Sequence, residues 1–170
     1  TSIGQGEILA TPIQIANLAA LIANKGYFYT PHIIKSIEGS EIDEKYRTKH
    51  VIDIKEKYFD VVQYGMELAV KKGTARFGQI DSLVFCGKTG TAQNPHGEDH
   101  SIFMGFAPKD KPQIAIAVYV ENSGFGATWA VPIASLMIEK YLYREISPKR
   151  KHVEKRMMES VIDPNTDKKE

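Results

Sequence analysis

Leu-Val-Phe-Cys-Gly-Lys-Thr at 83–89, Ser-Ile-Phe-Met-Gly-Phe-Ala at 101–107 and Gln-Ile-Ala-Ile-Ala-Val-Tyr-Val-Glu at 113–121 are the runs on which the fold turns. In the last of them Ile114, Ile116, Val118 and Val120 alternate with smaller or more polar neighbours, the period of a strand with one buried face. Pro108-Lys109-Asp110-Lys111-Pro112 leaves only a tight polar connection between the second and third runs. The loop from Asn94 to His100 is likewise too short for a crossover helix. Parallel partners need crossovers of about a dozen residues, so the three strands are predicted to pair antiparallel.

Helical patterns surround this sheet. Thr11 can cap a helix with Pro12 in its first turn, followed by Ile13, Ile15, Leu18, Leu21 and Ile22 and closed by Asn24-Lys25-Gly26. The Gly4-Gln5-Gly6 segment before it reads as a flexible or sharply turned lead-in. Tyr58, Val61, Val62, Met66, Leu68, Ala69 and Val70 recur at helical spacing up to a stop at Lys71-Lys72-Gly73. A third helix is predicted over Thr128–Tyr143, with Pro132 tolerated in its first turn, to cover the sheet. Tyr27–Ile37 reads as extended and interrupted by Pro31; Glu38–Lys57 reads as a surface excursion with a short strand around Val51, Ile52 and Ile54. These elements predict a mixed α/β (α+β) fold, an antiparallel sheet covered by helices, over residues 1–146. Residues 147–170 form a charged tail, with Lys149, Arg150, Lys151, Lys155 and Arg156 before Met157-Met158, expected to be a short exposed helix with frayed ends.

Composition narrows the function. Twenty-two Lys+Arg face 21 Asp+Glu, a net charge of +1, with 42% hydrophobic residues, so neither a disordered tail nor a general nucleic-acid binder is expected. No apolar run approaches the roughly 18 residues of a membrane-spanning helix, and Thr1-Ser2-Ile3-Gly4 does not begin a signal peptide. Location is not legible here. The single Cys86 excludes an intramolecular disulfide and a multi-cysteine zinc site. An opening without Met suggests a segment of a longer chain.

Chemistry concentrates in Gly87-Lys88-Thr89-Gly90-Thr91-Ala92. A phosphate loop would need a glycine where Ser82 stands and would have to open a helix, which Gly90 and Gln93-Asn94-Pro95 oppose. As a strand, Lys88 and Gly90 share one face and Thr89 and Thr91 the other, leaving open space beside the ammonium group. Such a margin can hold a carboxylate or an extended peptide through main-chain hydrogen bonds. An edge lysine that discourages aggregation, beside a glycine at a bulge, is the structural alternative. His96, Glu98, Asp99 and His100 are crowded, but Pro95 and Gly97 prevent helical alignment, so a polar loop is expected rather than a metal site. Cys86 is expected to pack rather than react. Phe125-Gly126-Ala127-Thr128-Trp129 is expected to start the last helix with Trp129 as a core anchor, a ligand-side turn being the alternative.

Lys88-Thr89-Gly90-Thr91 resembles the third signature of the penicillin-recognising serine enzymes, which accompanies S-x-x-K and S-x-N motifs. The wider run from Gly87 through Gly97, Asp99 through Pro108, and Gly4-Gln5-Gly6 with Ala10-Thr11-Pro12-Ile13-Gln14-Ile15-Ala16 resembles class B penicillin-binding proteins of the cell-elongation type, over roughly residues 1–143. The resemblance implies a D,D-transpeptidase that cross-links peptidoglycan by serine acyl transfer from a D-Ala-D-Ala stem peptide and is acylated by β-lactam antibiotics. It implies that Lys88 serves the proton and electrostatic network and that Thr91 offers its N–H to the oxyanion hole. Thr91 also lends its side chain to the ligand carboxylate, with Thr89 and Gly90 beside it in substrate binding. No cofactor, no metal and no nucleic-acid partner is expected. No serine here has lysine three residues later or asparagine two residues later. In the family both motifs lie upstream, so this chain alone is expected to be inactive. A serine β-lactamase and a non-catalytic binding module are the alternatives. The parent is expected to carry an N-terminal membrane anchor, face the periplasm or extracytoplasmic space, and partner a glycan-polymerising membrane protein of the elongation complex.

Overall fold

A computed structural model describes residues 5–162. Gly4 of the expected Gly4-Gln5-Gly6 lead-in, the Thr1–Ile3 opening and tail positions 163–170 lie outside the described residues. Three strands, β3 (Cys86–Ala92), β4 (His100–Ala107) and β5 (Ile114–Val120), form an antiparallel sheet in the order β3-β4-β5. The preceding α1 (Pro12–Ala23), β1 (Tyr27–Tyr29), β2 (Lys49–Val51) and α2 (Glu56–Lys71) and the following α3 (Ala130–Tyr143) and α4 (Lys151–Glu159) complete the order. β1 and β2 make a separate antiparallel ribbon.

The pleat sorts the sheet's side chains into two cores. Toward α3 point Phe103, Ala107, Ile116 and Val118, which meet Ala130, Val131, Ala134 and Ile138. Toward α1 and α2 point Cys86 and Phe106, which meet Ile22, Ala23 and Met66. The sheet is therefore a filling between helical layers, and each large side chain so buried contributes roughly 2 kcal/mol. The ends of α1 and α2 are finished by glutamines from elsewhere. Gln63 Nε2 donates to Ile22 O at 2.7 Å, and Gln79 Nε2 to Val70 O at 3.1 Å and Lys71 O at 2.9 Å, satisfying carbonyls that a helix C-terminus leaves open.

Several boundaries differ from the sequence reading. The extended run predicted over Tyr27–Ile37 is a strand only at Tyr27–Tyr29, because β2 offers three partners and no more. β3 starts at Cys86 rather than Leu83 and continues to Ala92; at Val84 the carbonyl accepts from Lys109 N, in the β4–β5 turn, at 2.7 Å. α3 starts at Ala130, two residues later than predicted, and Trp129 before it is half-buried rather than a core anchor. The described tail contains the exposed helix α4, yet Arg150 just before it is buried.

Candidate functional site

β3 is an edge strand, and its register fixes which groups face which way. Lys88 pairs with Met104 and Gly90 with Ile102; Thr89 and Thr91 pair with Phe103 and Ser101 on the opposite face. Lys88 is exposed, makes no ion pair among the described residues, and donates from Nζ to Thr89 O at 2.7 Å. Gly90 O and Ile102 O both lie beside Gly126, where an added Cβ would stand 2.7 and 2.5 Å from them, so Gly90 bonds inward to β4. Backbone groups along a strand alternate between its edges, which turns the N–H and C=O of Thr89 and Thr91 to the outer margin. That margin thus combines a cation that has no acid partner among the described residues with main-chain donors and acceptors. Beside it, the nearest atoms to a Cβ placed on Gly90 would all belong to Ile102, the closest at 3.3 Å.

Residues that sequence reasoning missed hold this margin. The hydroxyls of Thr74 and Thr89 meet at 2.7 Å, tying the strand to the segment that leaves α2. Gln93 N donates to Gln5 Oε1 at 3.2 Å, bringing the glycine-flanked lead-in to the end of β3. Asn94 Nδ2 donates to Asn122 Oδ1 at 2.6 Å, and Asn122 N donates to Nδ1 of His100 at 3.0 Å, which puts that ring's proton on Nε2 when it is neutral. Ser101, fully buried, donates to Phe125 O at 3.1 Å and accepts from Ala130 N at 3.0 Å, so it fastens the β5–α3 loop and the start of α3 to the sheet. Only the density of Asn, Ser and Gly in 93–101 and 122–126 hinted at such turn bonding.

The other candidates separate from the margin. Asp99 accepts from Asn94 N, and its carbonyl accepts from Ser123 and Gly124, so this carboxylate closes a loop. Among the described residues no group of three or more His, Cys, Asp or Glu is placed to hold a metal ion. Cys86 is buried, donates to Gln63 O at 3.4 Å, and burial pushes its thiol up to about 12, which keeps it protonated. The Phe125 side chain is exposed, while Gly126 packs on the strand. A groove of about 740 Å³ lies between α3 and α4 along Ile133, Met137, Tyr141, Met157 and Met158, and none of the motif residues lines it.

Residues 1–139 match the penicillin binding protein transpeptidase domain. The chain is 32% identical to the peptidoglycan D,D-transpeptidase MrdA of Haemophilus influenzae, over 88% of this chain and 26% of that protein. It superposes on the crystal structure of Pseudomonas aeruginosa PBP2 in complex with WCK 5153 with a TM-score of 0.73 at 38% identity, covering 86% of this chain and 33% of that one. Penicillin-binding protein A from M. tuberculosis, as a ceftriaxone acyl-enzyme complex, gives a TM-score of 0.72 at 30% identity, over 83% and 34% of the two chains. The chain therefore spans about a quarter to a third of the length of these relatives. With the motif strand, its flanking helices and this match in agreement, the chain belongs to the penicillin-binding protein transpeptidase domain family.

Proposed function

We propose that this chain forms one wall of the active site of a peptidoglycan D,D-transpeptidase of the cell-elongation type, and that the attacking serine lies on polypeptide outside these residues. The observation that carries the reading is the outer margin of β3, where Lys88 Nζ sits at the Thr89 carbonyl beside the outward backbone of Thr91. A D-Ala-D-Ala stem peptide adds along that margin through main-chain hydrogen bonds to Thr89 and Thr91, and the bare Gly90 lets it approach. When the serine attacks the scissile carbonyl, the Thr91 N–H donates to the developing oxyanion. Preorganised donors of this kind are worth about 3 kcal/mol each, because they are aimed before charge develops. Lys88 stabilises the same charge and the proton transfer that accompanies attack. Thr91 Oγ1 binds the terminal carboxylate, while the Thr89 hydroxyl, already engaged by Thr74, positions the strand.

β-Lactam antibiotics enter as mimics of the peptide, a reading that the ceftriaxone acyl-enzyme of the M. tuberculosis relative supports. The parent is membrane-anchored on the extracytoplasmic face and works beside a glycan-polymerising membrane protein; among the described residues no helix is long and apolar enough to cross a membrane. Residues 1–146 are the transpeptidase portion and 147–170 a tail fastened to it through Arg150.

Fluorescent penicillin tests the reading. The full-length protein labels on serine and Lys88→Ala slows its acylation by about a hundredfold or more without loss of folding, whereas these 170 residues alone take no label. A serine adduct on the isolated chain, or full-speed acylation of Lys88→Ala, would defeat the proposal; rapid β-lactam turnover by the parent would make it a hydrolase instead.

A further inference from the structure

On the Thr89 side of the motif strand there is a second concavity, of about 350 Å³, lined by Phe77, Ala127, Thr128, His152, Val153 and Arg156. Three segments meet in it: the 3-10 turn Arg76–Gly78 that precedes β3, the loop between β5 and α3, and α4. Two short routes join it to the motif. Thr74, just upstream of Phe77, holds the Thr89 hydroxyl at 2.7 Å. Gly126, next to Ala127, packs so closely on the strand that a Cβ there would stand 2.7 Å from Gly90 O and 3.3 Å from Thr89 Cβ.

The lining is cationic and aromatic. Arg156 supplies the cation and Phe77, 63% exposed, the aromatic wall; Arg76, outside the lining, stacks its guanidinium 4.6 Å from the centroid of the Phe77 ring. Among the described residues neither Arg76 nor Arg156 forms an ion pair, because the acids of α4 are taken by lysines: Glu154 by Lys151 and Glu159 by Lys155. A guanidinium with no acid of its own, a hydroxyl at Thr128 and an exposed aromatic wall together suit a carboxylate carried on a short apolar stem. The volume admits a side chain rather than a polymer.

We propose that this concavity is a subsite for a carboxylate-bearing side chain of the peptide bound along β3, with Arg156 as the anchoring cation, so that the enzyme prefers an acidic donor peptide to its amidated counterpart. The inference rests on the transpeptidase reading above and deepens it, by naming the substrate class. Phosphate groups share the same anion chemistry; the two contacts to the motif strand, Thr74 on Thr89 and Gly126 on Gly90, favour the peptide carboxylate.

The test uses the full-length protein and two D-Ala-D-Ala peptides that differ only in a side-chain carboxylate or carboxamide. The acidic peptide is expected to show a KM about fivefold lower at similar kcat, a gap that narrows as salt rises. Arg156→Gln closes the gap by raising KM for the acidic peptide alone, Arg156→Lys restores part of it, and fluorescent-penicillin labelling proceeds equally in all three proteins. Wild-type protein that takes no penicillin label refutes the transpeptidase reading itself. Normal labelling with equal KM for the two peptides, or a gap that survives both Arg156→Gln and His152→Gln, overturns the subsite alone. Inorganic phosphate that binds this pocket without any acid–amide difference assigns it to a phosphate group and also overturns it.

Discussion

Phe103 lies flat in the α3-side core with none of its surface exposed, and its ring occupies the space that side chains on Gly87 and Gly105 would need. A Cβ on Gly87 would fall 2.1 Å from Phe103 Cζ, and one on Gly105 would fall 2.5 Å from Cys86 O. Neither obstacle can move, since one is a fully packed ring and the other is backbone. Gly87→Ala is therefore expected to destabilise the fold by about 3 kcal/mol. Gly90→Ala meets only the partly exposed Ile102 at 3.3 Å and is expected to cost less than about 1 kcal/mol. Denaturant midpoints of the two variants check this, and equal losses would refute the distinction. From sequence, Gly90 was legible as bare space beside Lys88, because that follows from the period of one strand. Gly87 was not, because its role is set by an aromatic ring that arrives from the neighbouring strand.

At the scale of elements, two buried acids act as fasteners between segments distant in sequence. Glu67 on α2 accepts from Lys109 of the β4–β5 turn at 2.5 Å and from Lys71 one turn along its own helix. The Lys109 hydrogen bond, then that of Lys71, holds the Glu67 carboxyl below the ordinary glutamate range of about 4.3. A carboxyl whose pKa is lower folded than unfolded stabilises fully above the unfolded value and loses that contribution as pH falls through the folded one. Glu67→Gln is thus expected to cost about 2 kcal/mol at neutral pH and progressively less below pH 4; a gap from wild type that stays constant down to pH 2.5 would contradict it. At the other end, Glu139 on α3 is 2% exposed and accepts from Arg150 Nη1 at 2.5 Å and from Ser147 N at 3.1 Å, while Arg150 Nη2 donates to Ser135 Oγ at 2.5 Å. Arg150→Ala leaves that carboxylate buried and unpaired, a loss of about 3 kcal/mol, and pairing it with Glu139→Met should recover most of the loss. Chemical unfolding of the single and double variants reads this directly; additive losses would exclude the coupling. α1 was legible because its cap, Pro12 and closing Gly26 are local signals. The tail's attachment was not, because in sequence Arg150 is one more charge in a basic run.

The whole molecule is a three-stranded sheet held between α3 and the α1–α2 layer, with the β1–β2 ribbon appended on one side. Antiparallel pairing and helical cover were readable from loop lengths and periodicity, and so were Lys88 and Thr91 on opposite faces of one strand. The rim was not readable, since Gln5 reaches Gln93 and Asn94 reaches Asn122 across stretches where no periodicity links them. The same division predicts how the chain opens. β4 is bonded on both sides, and Ser101, Phe103, Phe106 and Ala107 within it are fully buried. The ribbon has three pairs, with Val51 71% and Tyr29 45% exposed; at its root Asn24 Nδ2 donates to Tyr27 O at 3.3 Å and the Phe59 ring lies beside Gly26. Local opening therefore costs far less in the ribbon than in β4. Amide hydrogen exchange on this chain is expected to be slowest at Phe103–Phe106 and at least a hundredfold faster at Tyr27–Tyr29. Equal protection of the two segments would mean that the ribbon opens only with the sheet, and that its few contacts carry more than their burial suggests.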